Sequence, residues 1–352
     1  MKQNPLRCLL ILLASLLLLG PSGAWAWDYE GHRLINQIAL ASLPTNFPAF
    51  VFTPAARERI AFLSGEPDRW RNTPDLPLRH CNGPDHYIDF EDLTPMGLKP
   101  ANLSPLRYVF TAQLAVAREK NPGAFPPIDA ARDTDQTKAL PGFLPWTITE
   151  YAGKLKSAFS YLRELEQEGT VEEIQNAQAN IIYLMGVMGH FVGDGSQPLH
   201  TTRSYNGWVG DNPNRYTTTN RFHSWIDGGY LNRVGLKPKE LLAKVRPARL
   251  LIAPDIRGPS TNLFPMVVDY LQEGFRQVEP LYQLERDGKL SDRPPVSPEG
   301  YDFLAGRLLV AGQMLGDLWL TARHHAPPDS FLRSQLSRRK LAAEGPGKPK
   351  SE

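Results

Sequence analysis

The sequence predicts a single all-α domain, because apolar residues recur at helical spacing almost throughout the chain and strand-like alternation is scarce. Helices are expected at roughly 31–43, 54–63, 103–119, 147–168, 171–194, 220–233, 262–283 and 298–325. Hydrophobic content of 41% and charged content of 22% are typical of a globular protein. We expect one domain over residues 27–326, without internal repeats.

Prolines mark two helix boundaries. Thr53-Pro54 is typical of a helix start, because proline suits the first helical position. Pro198 is expected to end the helix that begins near residue 171, which leaves His200 on the following loop. Two polar segments, 121–146 and 201–219, are rich in Pro, Asp, Asn, Thr and Gly and are expected to shape substrate entry beside a site.

The first 26 residues have the pattern of a signal peptide. Two basic residues precede an apolar stretch over 8–19 that is too short to span a bilayer, and Ala24-Trp25-Ala26 supplies the small-x-small cleavage pattern. We expect export to the periplasm or the medium, cleavage after Ala26 and a mature chain that starts at Trp27. No later segment is expected to enter a membrane, and the stripe over 304–320 is expected to be a core helix.

Cleavage would remove two positive charges, so that the formal net charge falls from +2 to 0. A neutral chain lacks the broad basic surface of a protein that holds duplex DNA by its phosphates. Cleavage would also remove Cys8 and leave Cys81 as the only thiol, which excludes an internal disulfide. The basic tail over 327–352, which contains Pro and Gly, is expected to be disordered.

Histidine and aspartate recur at zinc-ligand spacing. His190 and Asp194 are four residues apart, as are His223 and Asp227, so each pair can bind a metal from one face of a helix. His200 lies between the two pairs, and the chain has only eight histidines. Imidazole and carboxylate are ligands that suit zinc, and the spacing therefore predicts a zinc site.

Further ligand types lie nearer the start of the chain: His32 in Trp27-Asp-Tyr-Glu-Gly-His32, Asp68 in Pro67-Asp68-Arg69-Trp70-Arg71, and His86 in His86-Tyr87-Ile88-Asp89. With these positions the chain resembles the superfamily of zinc-dependent phospholipases C and single-strand-specific class I nucleases. The resemblance extends from Trp27 to the last long helix, in the same order throughout.

The resemblance implies three zinc ions. It implies that the first is bound by His86, Asp68, His190 and Asp194, and the second by His200, His223 and Asp227. The third would be bound by His32, by Asp194 as a bridging carboxylate, and by Trp27 through its α-amino nitrogen and carbonyl oxygen. This last ligand requires removal of the signal peptide, because an uncleaved precursor has no free amine at Trp27.

Two residues are expected to take part in catalysis. Arg71 follows Asp68 by three residues, where the nuclease pattern also has an arginine, and a guanidinium there could hold a phosphoryl oxygen with two hydrogen bonds. Asp68 is expected to orient or deprotonate the attacking water in addition to binding metal. Zinc lowers the pKa of bound water, and paired metals stabilise both oxygens of a phosphoryl displacement.

The resemblance favours the nuclease branch. The spacing from Trp27 to His32 is short, and the last ligand is Asp227 rather than the glutamate of the classical phospholipase. Tyr87 and Asp89 match the positions that stack on and hydrogen-bond a base in the nucleases.

Other positions depart from the nuclease pattern. Gly210-Asp211-Asn212 resembles a Gly-Gly-Asn segment only loosely, although Asn212 remains a candidate for the base pocket. The 121–146 loop has no counterpart, and the paired cysteines of many fungal and plant members are missing. His80, His324 and His325 lack a partner at ligand spacing and are left out of the site.

The expected function is that of an exported zinc-dependent endonuclease that hydrolyses single-stranded RNA or DNA to 5′-phosphorylated products, with 3′-nucleotidase activity as in its relatives. Two alternatives stay open. One is a zinc-dependent phospholipase C acting on phospholipid head groups, and the other is an exported zinc-binding protein without catalysis. The expected partners are single-stranded nucleic acid or nucleotides, with no stable membrane association, and the chain is expected to be a monomer.

Overall fold

A computed structural model describes residues 27–125, 127–251, 263–291 and 293–344. Within these ranges the secondary structure is helical, and the only β-type pairing is one isolated antiparallel bridge between Ile88 and Gly142. The prediction of an all-α fold is confirmed. The predicted signal peptide and its cleavage point after Ala26 lie outside the described residues.

The helices, in chain order, are α1 Tyr29–Ser42, α2 Pro54–Leu63, α3 Glu66–Arg71, α4 Leu76–Asn82, α5 Arg107–Lys120, α6 Leu144–Glu168, α7 Val171–Ser196, α8 with the consecutive segments Phe222–Ser224, Trp225–Tyr230 and Leu231–Val234, α9 Pro238–Leu242, α10 Leu263–Arg276, α11 Val278–Arg286, α12 Pro298–His324 and α13 Ser330–Glu344. The middle segment of α8 is π-helical. Short 3₁₀ turns occupy Ala49–Phe52, Gly83–His86, Phe90–Met96, Pro100–Asn102, Pro122–Ala124, Ala130–Arg132 and Pro198–His200.

Local sequence signals place several of these boundaries. Thr53 caps α2 through its side chain, and Pro54 takes the first helical position as predicted. Helix α7 ends at Ser196, before Pro198, but His200 lies in a 3₁₀ turn rather than an irregular loop. The helix predicted over 262–283 is divided into α10 and α11. Pro280 accounts for this break, because it has no N–H to bond the carbonyl group four residues earlier.

Helix α7 runs through the centre of the molecule. From Met185 to Ser196 every residue is buried, and α7 packs against α1, α2, α6 and α12. Helix α12 in turn packs along α1 and α6. The predicted ligands of α7 therefore lie in the interior, in the half of the helix that has neighbours on every side.

The prediction of a disordered tail over 327–352 is wrong for Ser330–Glu344, which form α13 against α6. Leu332 and Leu336 are buried one helical turn apart, which gives the helix a short apolar contact. Arg333 also pairs with Glu164 at 2.7 Å. A basic composition therefore did not prevent order, because acidic residues of the neighbouring helices lie opposite.

Helix α12 reaches the length and hydropathy of a membrane span, which the sequence analysis did not anticipate. In its most apolar stretch 67% of the residues are buried inside the protein. Packing against α1, α6 and α7 accounts for this apolar character, in agreement with the core helix expected over 304–320.

Candidate metal centre

The side chains predicted to bind metal meet in the interior from distant parts of the chain, and none is more than 6% exposed. His32 comes from α1, Asp68 from α3, His86 from the turn Gly83–His86, His190 and Asp194 from α7, His200 from the turn Pro198–His200, and His223 and Asp227 from α8. Their donor atoms form three groups, each with all atoms within 4.8 Å: His32, Asp68 and His190; His86, His190 and Asp194; and His200, His223 and Asp227.

Asp194 belongs to the second group, and His190 is shared by the first and the second. Its Oδ2 lies 3.0 Å from His86 Nδ1 and 3.4 Å from His190 Nε2, whereas its Oδ1 lies 3.5 Å from His32 Nε2. The two oxygens thus face different imidazoles, which is the arrangement that a bridging carboxylate requires. His86 Nδ1 and His190 Nε2 are 2.9 Å apart, and ligands of a tetrahedral zinc are separated by roughly 3.4 Å.

His32 and Asp68 complete this cluster around His190. The rings of His32 and His190 are stacked with their centroids 4.0 Å apart, and Asp68 Oδ1 lies 3.8 Å from His190 Nε2. His32 can approach α7 because residue 193 is glycine; a Cβ there would lie 2.7 Å from His32 Nδ1. The five side chains form one contiguous donor set, because the donor atoms of His32, Asp68 and His190 lie within 4.8 Å of one another and His32 Nε2 also lies 3.5 Å from Asp194 Oδ1.

The second cluster lies beside the first. His200 Nε2 is 3.0 Å from His223 Nε2, which is 2.7 Å from Asp227 Oδ2. His223 and Asp227 remain on one face of α8, as predicted, although Asp227 lies in the π-helical segment. His223 and Asp227 thus meet on one helix face as predicted, even though the helix between them is partly π-helical.

Two carbonyl oxygens fix the tautomers of the imidazoles. His190 Nδ1 lies 2.7 Å from the carbonyl oxygen of Ser64, and His200 Nδ1 lies 2.6 Å from that of His86. Because a carbonyl oxygen can only accept, each Nδ1 carries the proton and each Nε2 presents a lone pair to the cluster. The lone pair of His190 then faces a carboxylate oxygen of Asp194. Donor atoms this close repel one another unless a cation lies between them, so the set fits a metal ion.

Burial sets the protonation of the cluster. It lowers the pKa of His190 to about 3 and lowers the pKa of His86 and His200 well below the ordinary value, so these imidazoles are neutral. Burial also raises the pKa of Asp194 and Asp227, which have few cations nearby. Neutral imidazole is the form that binds metal, and a bound dication would reverse the rise in the carboxyl pKa values.

Trp27 lies against the cluster. It is fully buried, and its indole nitrogen donates to the carbonyl oxygen of Gly193 at 3.0 Å, next to Asp194 in sequence. The amide of Asp28 donates to the carbonyl oxygen of Asp227 at 3.0 Å. Residues 27 and 28 are therefore held between the two ligand helices. Metal binding by the α-amino nitrogen of Trp27 stays a prediction, because it depends on removal of residues that the structure does not describe.

A cavity of about 460 Å³ lies beside the cluster. Arg71, His200 and His223 line its metal side, and the predicted substrate residues Tyr87 and Asp89 line it as well. Both polar loops supply residues to the wall of this cavity, and their role in substrate entry stays a prediction. The first loop supplies Asp135, Thr137, Lys138 and Leu140, and the second supplies Arg203, Tyr205 and Val209. Sequence reasoning identified neither these side chains nor Arg79, because contact between distant loops leaves no local signal.

The side chains of Tyr87 and Asp89 are held differently. The Tyr87 hydroxyl donates to the carbonyl oxygen of Leu140 at 3.3 Å, which fixes the ring at the cavity wall. Burial raises the pKa of Asp89 well above the ordinary value, and the neighbouring carboxylates of Asp92 and Glu91 add to that rise. Asp89 therefore keeps its proton to a higher pH than an exposed aspartate, and can donate as well as accept a hydrogen bond.

Asn212 is not among the residues that line the cavity. Its amide nitrogen donates to the carbonyl oxygen of Tyr216 at 2.8 Å, and its amide oxygen accepts from the Tyr216 amide at 2.7 Å. The side chain therefore closes the turn over 212–216. The prediction that Asn212 belongs to a base pocket, which rested on the loose match to a Gly-Gly-Asn segment, is therefore not supported, because both polar atoms of its side chain are hydrogen-bonded within the loop.

Gln197 is a residue of the site that the sequence analysis missed. It is fully buried; its Nε2 donates to Asp227 Oδ1, and its Oε1 accepts from the amide of Leu199 at 3.2 Å. It thus joins the turn that carries His200 to a ligand of α8. Its position in the sequence between the ligands Asp194 and His200 could have identified it, because an amide buried between two ligands needs hydrogen-bond partners.

No protein-family model matches the sequence, and the comparison with curated proteins gave no match either. Among solved structures, the alpha-toxin of Clostridium perfringens from avian strain SWCP is similar, with a TM-score of 0.36 and 12% sequence identity. The match covers 87% of this chain and 66% of the toxin chain, so the protein spans just under two thirds of that chain's length. A TM-score of this size does not establish a shared function, so the site is interpreted from its own geometry.

Proposed function

We propose that the protein belongs to the superfamily of zinc-dependent phospholipases C and class I nucleases, on its nuclease branch, and is an exported phosphodiesterase. It would hydrolyse single-stranded RNA or DNA to 5′-phosphorylated products and remove 3′-phosphates from nucleotides. One observation carries the proposal. A buried His/Asp cluster with a zinc-type donor set adjoins a cavity that also contains Arg71, Tyr87 and Asp89.

The proposed metal ligands are the clustered side chains, with the main chain of Trp27 as an added ligand after export. Bound zinc supplies a water of lowered pKa and positive charge that offsets the charge of the phosphate. Three ions are proposed because the donor atoms fall into three groups and the two oxygens of Asp194 face different imidazoles.

Arg71 would neutralise negative charge on the reacting phosphate. Its Nε lies 2.7 Å from Asp68 Oδ1, which holds the guanidinium in one orientation at the cavity wall. A guanidinium that lines the cavity can donate to a phosphoryl oxygen and binds more strongly as negative charge builds up. Asp68 lies between this guanidinium and His190, where it can accept a proton from the attacking water.

Tyr87 and Asp89 support a nucleic-acid substrate. An aromatic ring at the cavity wall offers a stacking surface that tolerates different bases, and such stacking is worth about 1–3 kcal/mol per base. Asp89 can exchange hydrogen bonds with the edge of the same base. A single strand is favoured over a duplex, because its bases can leave the stack and enter a cavity.

The direct test is chelator-sensitive cleavage of a single-stranded oligonucleotide by the zinc-loaded protein across acid to neutral pH. Arg71→Ala should lower kcat by about 10²–10³, as expected for loss of a group that stabilises transition-state charge, while zinc content is retained. Arg69→Ala is the matched control, because Arg69 lies on the same helix and pairs with Glu66 at 2.9 Å outside the cavity. Absence of any cleavage by the wild-type protein would refute the nuclease proposal.

A phospholipid head group is the second candidate substrate. Leu140 and Val209 line the cavity beside its polar residues, and Val209 is 50% exposed. The metal chemistry would be the same for both substrates. Release of diacylglycerol from phosphatidylcholine vesicles would identify a phospholipase C, whereas cleavage of an oligonucleotide would identify a nuclease. If neither substrate is hydrolysed and zinc is bound, the non-catalytic zinc-binding protein becomes the better description.

A further inference from the structure

Residues between 127 and 138 line, together with Asp92 and Arg118, a second cavity that adjoins the first. This cavity has a volume of about 240 Å³ and is lined by Arg118, Arg132 and Lys138 together with Asp92, Asp129, Pro127 and Ile128. Lys138 and Asp92 line both cavities. A path therefore leads from the metal cluster, past Lys138, to a basic site at the end of α5.

Most cations along this path already have a carboxylate partner. Arg79 pairs with Asp135 at 2.8 Å, Arg132 with Asp129 at 3.5 Å, and Arg203 with Asp92 at 3.9 Å. These three pairs are locally neutral and add little attraction for an anion. Lys138 and Arg118 differ, because neither has a carboxylate within 4.0 Å among the residues that the structure describes.

Arg118 is held in place without being neutralised. Its Nη2 donates to the carbonyl oxygen of Ala139 at 2.6 Å, and its guanidinium lies 4.6 Å from the centre of the Phe125 ring. Its Nε is buried and has no hydrogen-bond partner within the described ranges. Lys138 is exposed, and its backbone amide donates to Asp133 at 3.1 Å, which anchors the loop below it. Two cations thus lie beside one cavity without a carboxylate in direct contact, although at longer range Arg118 acts on Asp92 and Lys138 acts on Asp89.

We propose that Lys138 and Arg118 bind a second phosphodiester of the same single strand, one that is not cleaved. This inference rests on the proposed nuclease function and deepens it. A cavity lined by two cations that have no carboxylate in contact attracts an anion, and a strand whose reacting phosphate lies at Arg71 carries further phosphates along its backbone. The path through Lys138 joins the two positions. The enzyme would then prefer oligonucleotides to dinucleotides or mononucleotides.

The experiment compares hydrolysis of a thymidine hexanucleotide with that of the dinucleotide TpT, which has only the scissile phosphate. Lys138→Met should lower kcat/KM for the hexanucleotide about fivefold more than kcat/KM for TpT, mainly through KM. Lys138→Arg should restore the wild-type value. Lys120→Met is the matched control, because Lys120 is an exposed lysine of α5 that lines neither cavity.

A salt titration gives an independent readout. The slope of log KM for the hexanucleotide against log salt should fall in magnitude by about 0.7 in Lys138→Met, as expected for one lost phosphate contact to a single strand. If the wild type cleaves both oligomers and Lys138→Met changes neither kcat/KM nor slope, the second subsite is refuted and the proposed function stands. If the wild type cleaves neither oligomer, the proposed function itself is refuted.

Discussion

At the scale of single residues, the metal centre depends on side chains and carbonyl groups that do not bind metal themselves. The Ser64 and His86 carbonyl oxygens hold the protonated Nδ1 atoms of His190 and His200, so both Nε2 atoms face inward. Gln197 does the same for Asp227 by donating to its Oδ1. Such partners orient ligands before the metal arrives and raise its affinity.

We predict that Gln197→Glu weakens zinc binding by the His200, His223 and Asp227 cluster about 10- to 100-fold. Glutamate keeps the acceptor for the Leu199 amide but removes the donor to Asp227 and adds a like charge beside it. Zinc content after competition with a chelator of known affinity measures the effect, with one ion per chain lost first.

Asn36→Asp is the control for this prediction. Asn36 is also a fully buried amide, but it donates to the carbonyl oxygens of Ile60 and Gly186 rather than to a ligand. It should lower stability without selective loss of one zinc ion. Equal zinc loss in both variants would mean that Gln197 acts only through the fold.

At the scale of elements, close contact of α1 with α12 brings His32 to α7. Glycine at position 312 allows this contact, because a Cβ there would lie 2.2 Å from Ile38 Cγ2. We predict that Gly312→Ala lowers the free energy of unfolding by about 1–3 kcal/mol through overpacking. Gly306→Ala on the same helix has no atom within 4 Å of the new Cβ and should stabilise by about 0.5–1 kcal/mol. Urea denaturation of both variants measures the difference, and equal effects would contradict the packing account.

Helix α13 should be released in acid. Arg339 hydrogen-bonds Glu173 and lowers its pKa to about 2, and Arg333 lowers the pKa of Glu164 in the same way. Because both pKa values are depressed on folding, the stabilisation is complete above the ordinary value near 4.5 and is lost as pH falls from there toward 2. Hydrogen exchange of amides in 330–344, corrected for the intrinsic rate, should accelerate in that window.

Two variants distinguish loss of the ion pairs of α13 from unfolding of the whole protein in acid. Arg333→Gln should loosen α13 at neutral pH, with exchange about fivefold faster. Arg338→Gln should have little effect, because within the described part of the chain Arg338 bonds only to Ser334 of its own helix. If Arg333→Gln leaves exchange unchanged at neutral pH, the Arg333–Glu164 pair does not stabilise the helix.

At the scale of the whole molecule, the buried acidic cluster couples metal binding to stability. Asp68, Asp194 and Asp227 are each no more than 2% exposed, and burying carboxylates without cations is costly. Zinc that binds only the folded chain stabilises it by about 2.7 kcal/mol at a free concentration 100 times Kd. We predict that chelation lowers Tm by about 5–10 °C and that added zinc restores it. Calorimetry measures this, and an unchanged Tm would contradict a metal site at this position.

Local sequence patterns predicted most of the helices and the paired ligands of α7 and α8, whereas His32, Asp68 and His86 were assigned from the resemblance to a known superfamily. His190 with Asp194 and His223 with Asp227 could be identified because a helix turn brings residues four apart to one face, whatever surrounds it. The start of α2 followed from Thr53 and Pro54 for the same local reason. Features that depend on distant partners were not predictable, including the order of Ser330–Glu344, which needs acidic residues of α6 and α7 opposite its arginines.

The sequence by itself therefore determined the helical class, the paired His and Asp ligands of α7 and α8 and the two loops near them, because periodicity and ligand spacing are local properties. Only the tertiary structure decided that Asp194 faces His32 with one oxygen and His86 with the other, and that Gln197 holds Asp227. It also placed Asn212 outside the cavity and Lys138 inside it. These outcomes depend on which surfaces of distant helices and loops pack together, and no spacing along the chain encodes that contact.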